Sequence, residues 1–384
     1  MRTWIIGAAL LALGGAAIAA GMLPVDDALQ LWDRVWPILL FVAAITVVTE
    51  LAAVAGVFTV LAQATARWGG GRAWLLWLLV AAVALLSTVF LSLDTTAVLL
   101  TPVAIVLARH AGLNPLPFAL TTVWMANTGS MLLPVSNLTN LLAQHAMGDL
   151  TPVEFAGLVW AAALMAATIP MIVVFVVCRR SLLVRYRAGE AQRPQDVVLF
   201  RAAAVVLVVL VPLLVSGLPV WMPATAAALV LSAVFAVRQR SAVRFGLIPW
   251  RLMVFAGGLF LFIAALHAVG LGVLLARIAG EGESPLALLR LSFSGLLAAN
   301  AVDNLPAYLA LEPVTGSPIR VVALLIGVNV GPLITPWASL ATLLWHQRLS
   351  ALGVEMGWRR YILLGAIVAP VTVAAATLAL AASA

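Results

Sequence analysis

The chain has no lysine, one cysteine and four histidines, and charged residues make up only 9% of its 384 positions. Each shortage removes a class. A soluble domain is about a quarter charged, so this chain is not a soluble enzyme, a disordered regulator or a nucleic-acid binder. A single cysteine, Cys178, rules out a disulfide scaffold and a cysteine-cluster metal site. His110, His145, His267 and His346 are scattered, with no H-x-x-x-H pair, so no metal centre is expected. H-E-x-x-H, G-x-S-x-G and nucleotide-binding loops are missing. The chain therefore reads as neither an enzyme nor a cofactor protein, and any ATP would have to come from a partner. That every cation is Arg reads as nucleotide-composition bias.

What is abundant is apolar residue: 64% hydrophobic, with mean hydropathy +1.15. Segments of roughly 17 to 25 residues, long enough to span a bilayer, lie near 4–23, 36–56, 153–178, 202–218, 222–237, 250–270 and 358–381. The first could pass for a signal peptide, but its apolar stretch fits a spanning helix better. Two further regions, 115–146 and 318–347, are long but interrupted by Gly, Pro, Asn and Ser. Two others, 72–110 and 285–314, are apolar arms meeting at a polar centre.

If the interrupted regions cross once each and the polar-centred regions are re-entrant hairpins, the chain crosses about nine times. The loops on one side then hold 17 of the 21 Arg and three acids, whereas the other side holds four Arg and eight acids. The Arg-rich face is expected to be cytoplasmic by the positive-inside rule, with the N-terminus inside and the C-terminus outside. Reading either hairpin as a full crossing would scramble this separation. The linker at 179–201, carrying Arg179, Arg180, Arg185, Arg187 and Arg193, reads as a solvated loop.

The chain also repeats itself. Trp124 to Leu142 matches Ile326 to Leu344 at a constant offset of 202, with Asn127/Asn329, Gly129/Gly331 and Pro134/Pro336 in register. Trp36, Phe41 and Gly56 match Trp250, Phe255 and Gly270 at offset 214, Asp94 matches Asp303 at 209, and Pro170 matches Pro370 at 200. This predicts an N-terminal helix and loop at 1–35, repeat one at 36–178, and a basic linker plus two connecting helices at 179–249. Repeat two follows at 250–384. An odd number of crossings between the starts of the copies inverts one against the other. Inverted repeats with breaks at matching positions are an architecture of secondary transporters, with the site where the breaks meet.

Three acids sit in apolar surroundings: Glu50, Asp94 and Asp303. A charge at mid-membrane costs at least ~2.5–3.5 kcal/mol, so such groups face a cavity or a partner, or stay protonated. Asp94 and Asp303 fall at the hairpin tips, where bare backbone at membrane depth is tolerated only beside water or protein. They are the expected coupling groups, and local helix caps are the competing role. Glu50 and His267 stand behind them as relay candidates. The polar residues of the tips and breaks are the expected cargo ligands: Asp94, Thr95, Thr96, Asn127, Thr128, Gly129, Ser136, Asn137, Asp303, Asn304, Asn329, Gly331 and Thr335. The competing reading is that they only repair the broken ladders. Cys178, at a helix end, is expected to be inert.

Leu93-Asp94-Thr-Thr-Ala-Val-Leu-Leu-Thr-Pro102 and Ala126-Asn127-Thr-Gly-Ser-Met-Leu-Leu-Pro-Val-Ser-Asn-Leu-Thr-Asn140 resemble the arsenite permease family of the ion transporter superfamily. So do Asn300-Ala-Val-Asp-Asn-Leu-Pro306 and Gly327-Val-Asn-Val-Gly-Pro-Leu-Ile-Thr-Pro336. The resemblance runs from about residue 34 to the end. It implies an inner-membrane pump expelling arsenite and antimonite, driven by protons or by a soluble ATPase partner. Relatives include sodium/proton antiporters and dicarboxylate or citrate carriers. The chain departs from the family pattern at both tips, with Leu93-Asp94 where Asn-Asp is usual and Asp303-Asn304 where Asn-Asn is frequent. Its N-terminus reads as one helix short.

Arsenite at neutral pH is mostly an uncharged trihydroxide. Thiolate capture would want several cysteines, so recognition would fall to Asn, Ser, Thr and backbone groups. Two central acids without a neighbouring cation would repel a dicarboxylate, whereas they suit Na⁺ or H⁺. The expectation is an all-α, inverted-repeat secondary transporter exporting arsenite or antimonite in exchange for protons. A sodium/proton antiporter is the alternative and a dicarboxylate or citrate carrier the weaker one. Membrane lipid is the expected surround, nucleic acid is not expected as a partner, and a homodimer is left open.

Overall fold

The computed structural model describes residues 3–187 and 194–383. Arg2, Glu190 and Arg193, which enter the charge separation above, lie outside them.

The first half opens with α1 (Thr3–Ala19) and α2 (Val25–Val54). Asp26 and Asp27 fall in the first turn of α2, where carboxylates oppose the positive end of the helix dipole. Gly56, at φ 84°, turns the chain into the amphipathic α3 (Val57–Trp68). Hairpin one follows: α4 (Ala73–Leu91), Ser92, α5 (Leu93–Thr95), a π turn at Thr96–Leu100, and α6 (Thr101–His110). Pro102 has no N–H and would clash one turn back, and the wider π turn accommodates it. The first broken helix is α7 (Leu116–Thr128), two 3₁₀ turns at Gly129–Met131 and Pro134–Ser136, and α8 (Leu138–Ala146). Then α9 (Pro152–Leu182) starts on a Thr151/Glu154 capping box. Two connecting helices follow, α10 (Val197–Leu214) and α11 (Trp221–Arg238).

The second half repeats this order. It runs through α12 (Trp250–Ala268), Gly270 at φ 98°, α13 (Leu271–Ala279), α14 (Pro285–Val302), Asp303 and α15 (Asn304–Leu311). The second broken helix is α16 (Pro318–Val330), 3₁₀ turns at Gly331–Leu333 and Pro336–Ala338, and α17 (Leu340–Ala351), before α18 (Trp358–Ser383). The four 3₁₀ turns of the breaks obey the 202-residue offset. The packing repeats too: α4 lies on α7 and α7 on α9, as α14 lies on α16 and α16 on α18. The outer helices cross over, with α1 along α12 and α11 along α2. A Cβ on Gly258 would overlap the Gly7 carbonyl, and one on Gly327 the Ser292 carbonyl. These crossings bring helices together backbone to backbone, the contact that small residues permit in lipid.

The short helices α3 and α13 have no counterpart in the sequence reading, which sought segments long enough to span. The 179–201 linker is shorter than its charge suggested, because α9 continues through Arg179 and Arg180 and α10 begins at Val197.

Each hairpin returns to the end of the molecule from which it started. Arg72, before α4, bridges to Arg185 just past α9, and the Arg109 guanidinium at the end of α6 donates to the Gly353 carbonyl just before α18. Those loops share one end, because α9 packs on α18 and Cys178 near the finish of α9 lies in electrostatic reach of Arg360 in the first turn of α18. Both ends of hairpin two are gathered by Arg320, which donates to the carbonyls of Gly280, Gly282 and Thr315. Glu312, next to α15, meets Arg34 near the start of α2, and Arg34 also reaches Leu142 of α8. That end is the start of α9, about 46 Å along the helix from its finish. The hairpins thus enter from opposite ends.

Nine helices among the described residues are long and apolar enough to cross a membrane. The number equals the nine crossings expected, but the membership differs. It includes α4, α14 and the continuous Leu93–His110 arm, which belong to hairpins, and omits α1 and the broken helices, whose individual pieces are short. The chain is an all-helical, multi-pass membrane protein.

Candidate functional site

Both hairpin tips adopt one unusual backbone. Ser92 sits at φ 128°, ψ 160° and Asp303 at φ 111°, ψ 156°. That region is populated essentially by glycine, and holding another residue there costs of order 1–3 kcal/mol. Each tip residue caps the helix that follows: Ser92 Oγ accepts from the Thr95 N–H at 3.3 Å, and Asp303 Oδ1 from the Leu305 N–H at 3.2 Å. The structural equivalent of Asp303 is therefore Ser92. The sequence match had paired it with Asp94, because that match aligned like residues across a two-residue shift.

The correction separates the two acids by role. Asp303 is a cap as well as a carboxylate. Asp94 is half-buried, caps nothing, and makes no hydrogen bond to a described residue. Asp94 nonetheless lies within electrostatic reach of Asp303. Among the described residues no guanidinium bonds either tip or any Asn, Ser or Thr side chain of the breaks.

The breaks hold the tips. Ser136 Oγ donates to the Val89 carbonyl at 2.9 Å, and Trp337 Nε1 to the Asn300 carbonyl at 2.7 Å. Val89 and Asn300 each lie three residues before their tip, so each 3₁₀ turn satisfies a carbonyl freed by the end of the hairpin's first arm. Asn300 goes further. Its Nδ2 donates to the Gly331 carbonyl at 3.0 Å, and its Oδ1 accepts from the Thr335 N–H at 3.0 Å and Oγ1 at 2.7 Å. Thr96 Oγ1 accepts from Thr88 at 2.8 Å, and Thr95 Oγ1 lies 3.1 Å from Ser92 Oγ. A Cβ on Gly129 would come within 2.9 Å of Leu85, and one on Gly331 within 2.9 Å of Ala299. Both glycines sit where a hairpin arm presses on a break.

The breaks also clasp each other. Asn127 Nδ2 donates to Thr342 Oγ1 at 3.3 Å, and Asn329 Nδ2 to Asn140 Oδ1 at 3.1 Å. These bonds are symmetry mates, since 127 corresponds to 329 and 140 to 342 at offset 202. Asn329 Oδ1 additionally accepts from Asn137 Nδ2 at 2.9 Å and Thr139 Oγ1 at 3.3 Å. Asn140 Nδ2 caps the carbonyls of Ser130 and Leu133. Thr128 turns its hydroxyl back to the Trp124 carbonyl. Asn304 is buried and lends no side-chain hydrogen bond.

The secondary candidates lie apart from this network. Glu50 is half-buried on α2, and His267 Nε2 lies 3.0 Å from the Ala310 carbonyl, joining α12 to hairpin two. His267 and His145 are electrostatic neighbours of Glu312, which pairs with Arg34 at 2.7 Å. The buried Tyr308 hydroxyl stands beside that pair. Sequence reasoning did not single out Ser92, Asn300, Trp124 or the Arg34–Glu312 pair for roles. Asn300 was within reach, since it opens the second tip motif. Arg34 and Glu312, 278 residues apart, carry no sequence signal.

Fold and site together define a membrane transporter built on two inverted halves. The sequence profile of the citrate transporter family, CitMHS, matches residues 1–342, and the chain belongs to that family. It is 29% identical over 383 residues to an arsenical pump membrane protein of Yersinia enterocolitica, covering 91% of this chain and 87% of that one. It is 28% identical, at the same coverage, to the arsenical pump membrane protein of Escherichia coli K12. A putative arsenical pump membrane protein of Bacillus subtilis is 24% identical over 75% of this chain and 74% of its own length. Among solved structures, the YdaH transporter of Alcanivorax borkumensis, described as having an unusual topology, superposes with a TM-score of 0.59. It shares 17% identity over 94% of this chain and 89% of that one.

Proposed function

We propose that the chain exports arsenite or antimonite across the cytoplasmic membrane in exchange for protons, by alternating access at the meeting point of the tips and breaks. One observation carries this reading. Two acidic tips approach from opposite ends without a cationic partner, beside a clasp of neutral Asn and Thr groups. Carboxylates held at membrane depth without a counter-charge need a proton or a metal cation. The neutral clasp suits an uncharged hydroxylated solute. Tricarboxylate cargo, which the family's description names, would meet two acids and no guanidinium there. Similarity to arsenical pumps over most of the chain supports the metalloid reading.

The Arg-rich end faces the cytoplasm in this proposal, with the N-terminus inside and the C-terminus outside. Asp94 and Asp303 carry the coupling proton, with Glu50 and His267 as relays in reserve. The polar tip and break residues hold the cargo. Any ATP drive would come from a separate soluble subunit, and a homodimer is the assembly to look for. Sodium/proton antiport is the second reading, favoured by the same pair of acids.

Everted vesicles separate the two readings. Under an imposed proton gradient they should accumulate arsenite and antimonite, and expression in a sensitive host should raise tolerance. Na⁺-dependent proton flux without metalloid flux would replace this reading with the antiporter.

A further inference from the structure

The clasp between the breaks is symmetric in its skeleton and asymmetric in its satisfaction. In copy two, Asn329 uses both ends of its amide, with three side-chain partners. In copy one, Asn127 Nδ2 donates to the Val123 carbonyl at 2.9 Å and to Thr342 at 3.3 Å, while its Oδ1, buried in a residue 2% exposed, accepts from no described residue. A flipped amide would set Oδ1 2.9 Å from the Val123 carbonyl oxygen, acceptor against acceptor, so this contact fixes which way the amide points. The reason for the orphan is legible in the repeat. The donors serving Asn329 are Asn137 and Thr139, and their mates at offset 202 are Ser339, which makes no capping bond, and Ala341, which has no donor.

A second unpartnered group stands one turn away on the same helix. Trp124 is fully buried, yet its Nε1–H makes no well-aligned hydrogen bond to a described residue. Its mate in copy two is Ile326, so packing at this position does not require an indole. The polar neighbour shared by Trp124 and Thr342 is the Tyr361 hydroxyl, which donates to the Pro332 carbonyl and keeps a free lone pair, but the Trp124 N–H is not aligned to donate to it. Leaving a buried polar group without a partner costs ~1–3 kcal/mol. Copy one carries that cost twice within one turn, at positions where copy two carries none.

We propose that Asn127 Oδ1 and Trp124 Nε1 form the cargo's hydroxyl-binding subsite, confined to the first break and selective for a neutral O–H solute over a cation. An acceptor and a donor side by side match an uncharged hydroxyl group, which offers both. A bare Na⁺ would gain the amide oxygen but face the positive end of the indole N–H. The subsite is closed in this conformation, and cargo reaches it when the breaks part. This assignment deepens the export reading and rests on it.

Filling the orphan from within the protein tests it. Ser339→Asn with Ala341→Thr gives Asn127 Oδ1 the donors that Asn329 already has. Proteoliposomes of the full chain are assayed for arsenite and antimonite flux, and thermal unfolding is followed in parallel. The folded double variant should unfold at or above the wild-type temperature and show KM raised about tenfold, with maximal rate little changed, as for loss of a contact present throughout binding. A folded double variant with wild-type KM overturns the subsite. If the added volume prevents assembly, Trp124→Phe decides. It removes the donor alone, so a tenfold rise in KM supports the subsite and a wild-type KM overturns it. Wild-type protein without metalloid flux sinks the export reading, and the subsite with it.

Discussion

The two halves of this molecule share a skeleton and differ in how they satisfy it. Each has a strained, capped tip, a carbonyl three residues earlier tied to a 3₁₀ turn, and an asparagine reaching across to the other break. Copy two is the better satisfied: the Asn300 side chain bonds Gly331 and Thr335, its carbonyl accepts from Trp337, and Asn329 is fully engaged by Asn137, Thr139 and Asn140 of copy one. Copy one keeps a leaner version, with Val89 standing where copy two has Asn300, and leaves Asp94, Asn127 Oδ1 and Trp124 Nε1 unengaged. Polar groups satisfied at both matching positions belong to the repair of broken helices. Polar groups left unsatisfied in one half only are the better candidates for work on a solute.

The strongest test of that division is at the acids. Asp94→Asn should abolish gradient-driven flux and leave thermal stability unchanged, because Ser92 and not Asp94 caps the helix. Asp303→Asn should also uncouple the pump, with its cap retained, since Asn caps as well as Asp does. Counterflow without a gradient, measured beside driven flux and membrane level, separates coupling from folding. Two variants that pump normally would reduce both acids to structure and shift the search to Glu50 and His267.

Next in size is the difference in repair. Asn300→Ala strips partners from the Gly331 carbonyl and the Thr335 amide and hydroxyl, and should cost about 3 kcal/mol. Ser136→Ala, the corresponding tie in copy one, removes a single bond and should cost about 1 kcal/mol. Unfolding of the two variants measured side by side would collapse the comparison if the costs are equal.

How much of this was readable beforehand follows from chain distance. The offset of 202 set both breaks and the Asn127/Asn329 pair, because those segments match residue for residue without insertion, and the 3₁₀ turns of the breaks, which no sequence pattern announced, keep the same register. The tips were misregistered by two residues, because aspartate attracted aspartate in the alignment while backbone geometry pairs Asp303 with Ser92. The short helices α3 and α13 escaped because neither is long enough to span, although Gly56 and Gly270 before them had already been matched. Whether Asn329 or Asn127 keeps a free oxygen depends on which side chains meet across roughly 200 residues of sequence. No local pattern encodes that.

A smaller effect is expected where the halves have no common feature. The Arg34–Glu312 pair, 22% and 10% exposed, joins α2 to hairpin two and, through Leu142, to the first break. Position 34 corresponds to Ile248 at offset 214, so the opposite end has no equivalent pair. A double-mutant cycle with Arg34→Gln and Glu312→Gln should return a coupling of about 1–2 kcal/mol. Cross-linking from the Glu312 end should show that end opening more often in the variants. A coupling near zero would mean that the pair is incidental to closure.

The smallest effect is predicted at the only thiol. Cys178 lies on α9, eight residues past Pro170, and its mate eight residues past Pro370 is Leu378, a half-exposed apolar residue on α18. Copy two thus fills the position without sulfur, and Cys178 is a free, half-buried thiol in copy one. It stands near the Arg-rich end, within reach of Arg360 and away from the tips and the clasp. Thiolate capture of a metalloid calls for several soft ligands together, and a single sulfur at that end cannot supply them. Cys178→Ser should therefore keep arsenite and antimonite flux within about twofold of wild type, while Cys178→Leu, which copies the other half, should be equally active. Loss of flux in either variant at normal membrane level would show that sulfur handles the cargo. The hydroxyl-based recognition argued from Asn127 and Trp124 would then fail, however well the rest of the symmetry held.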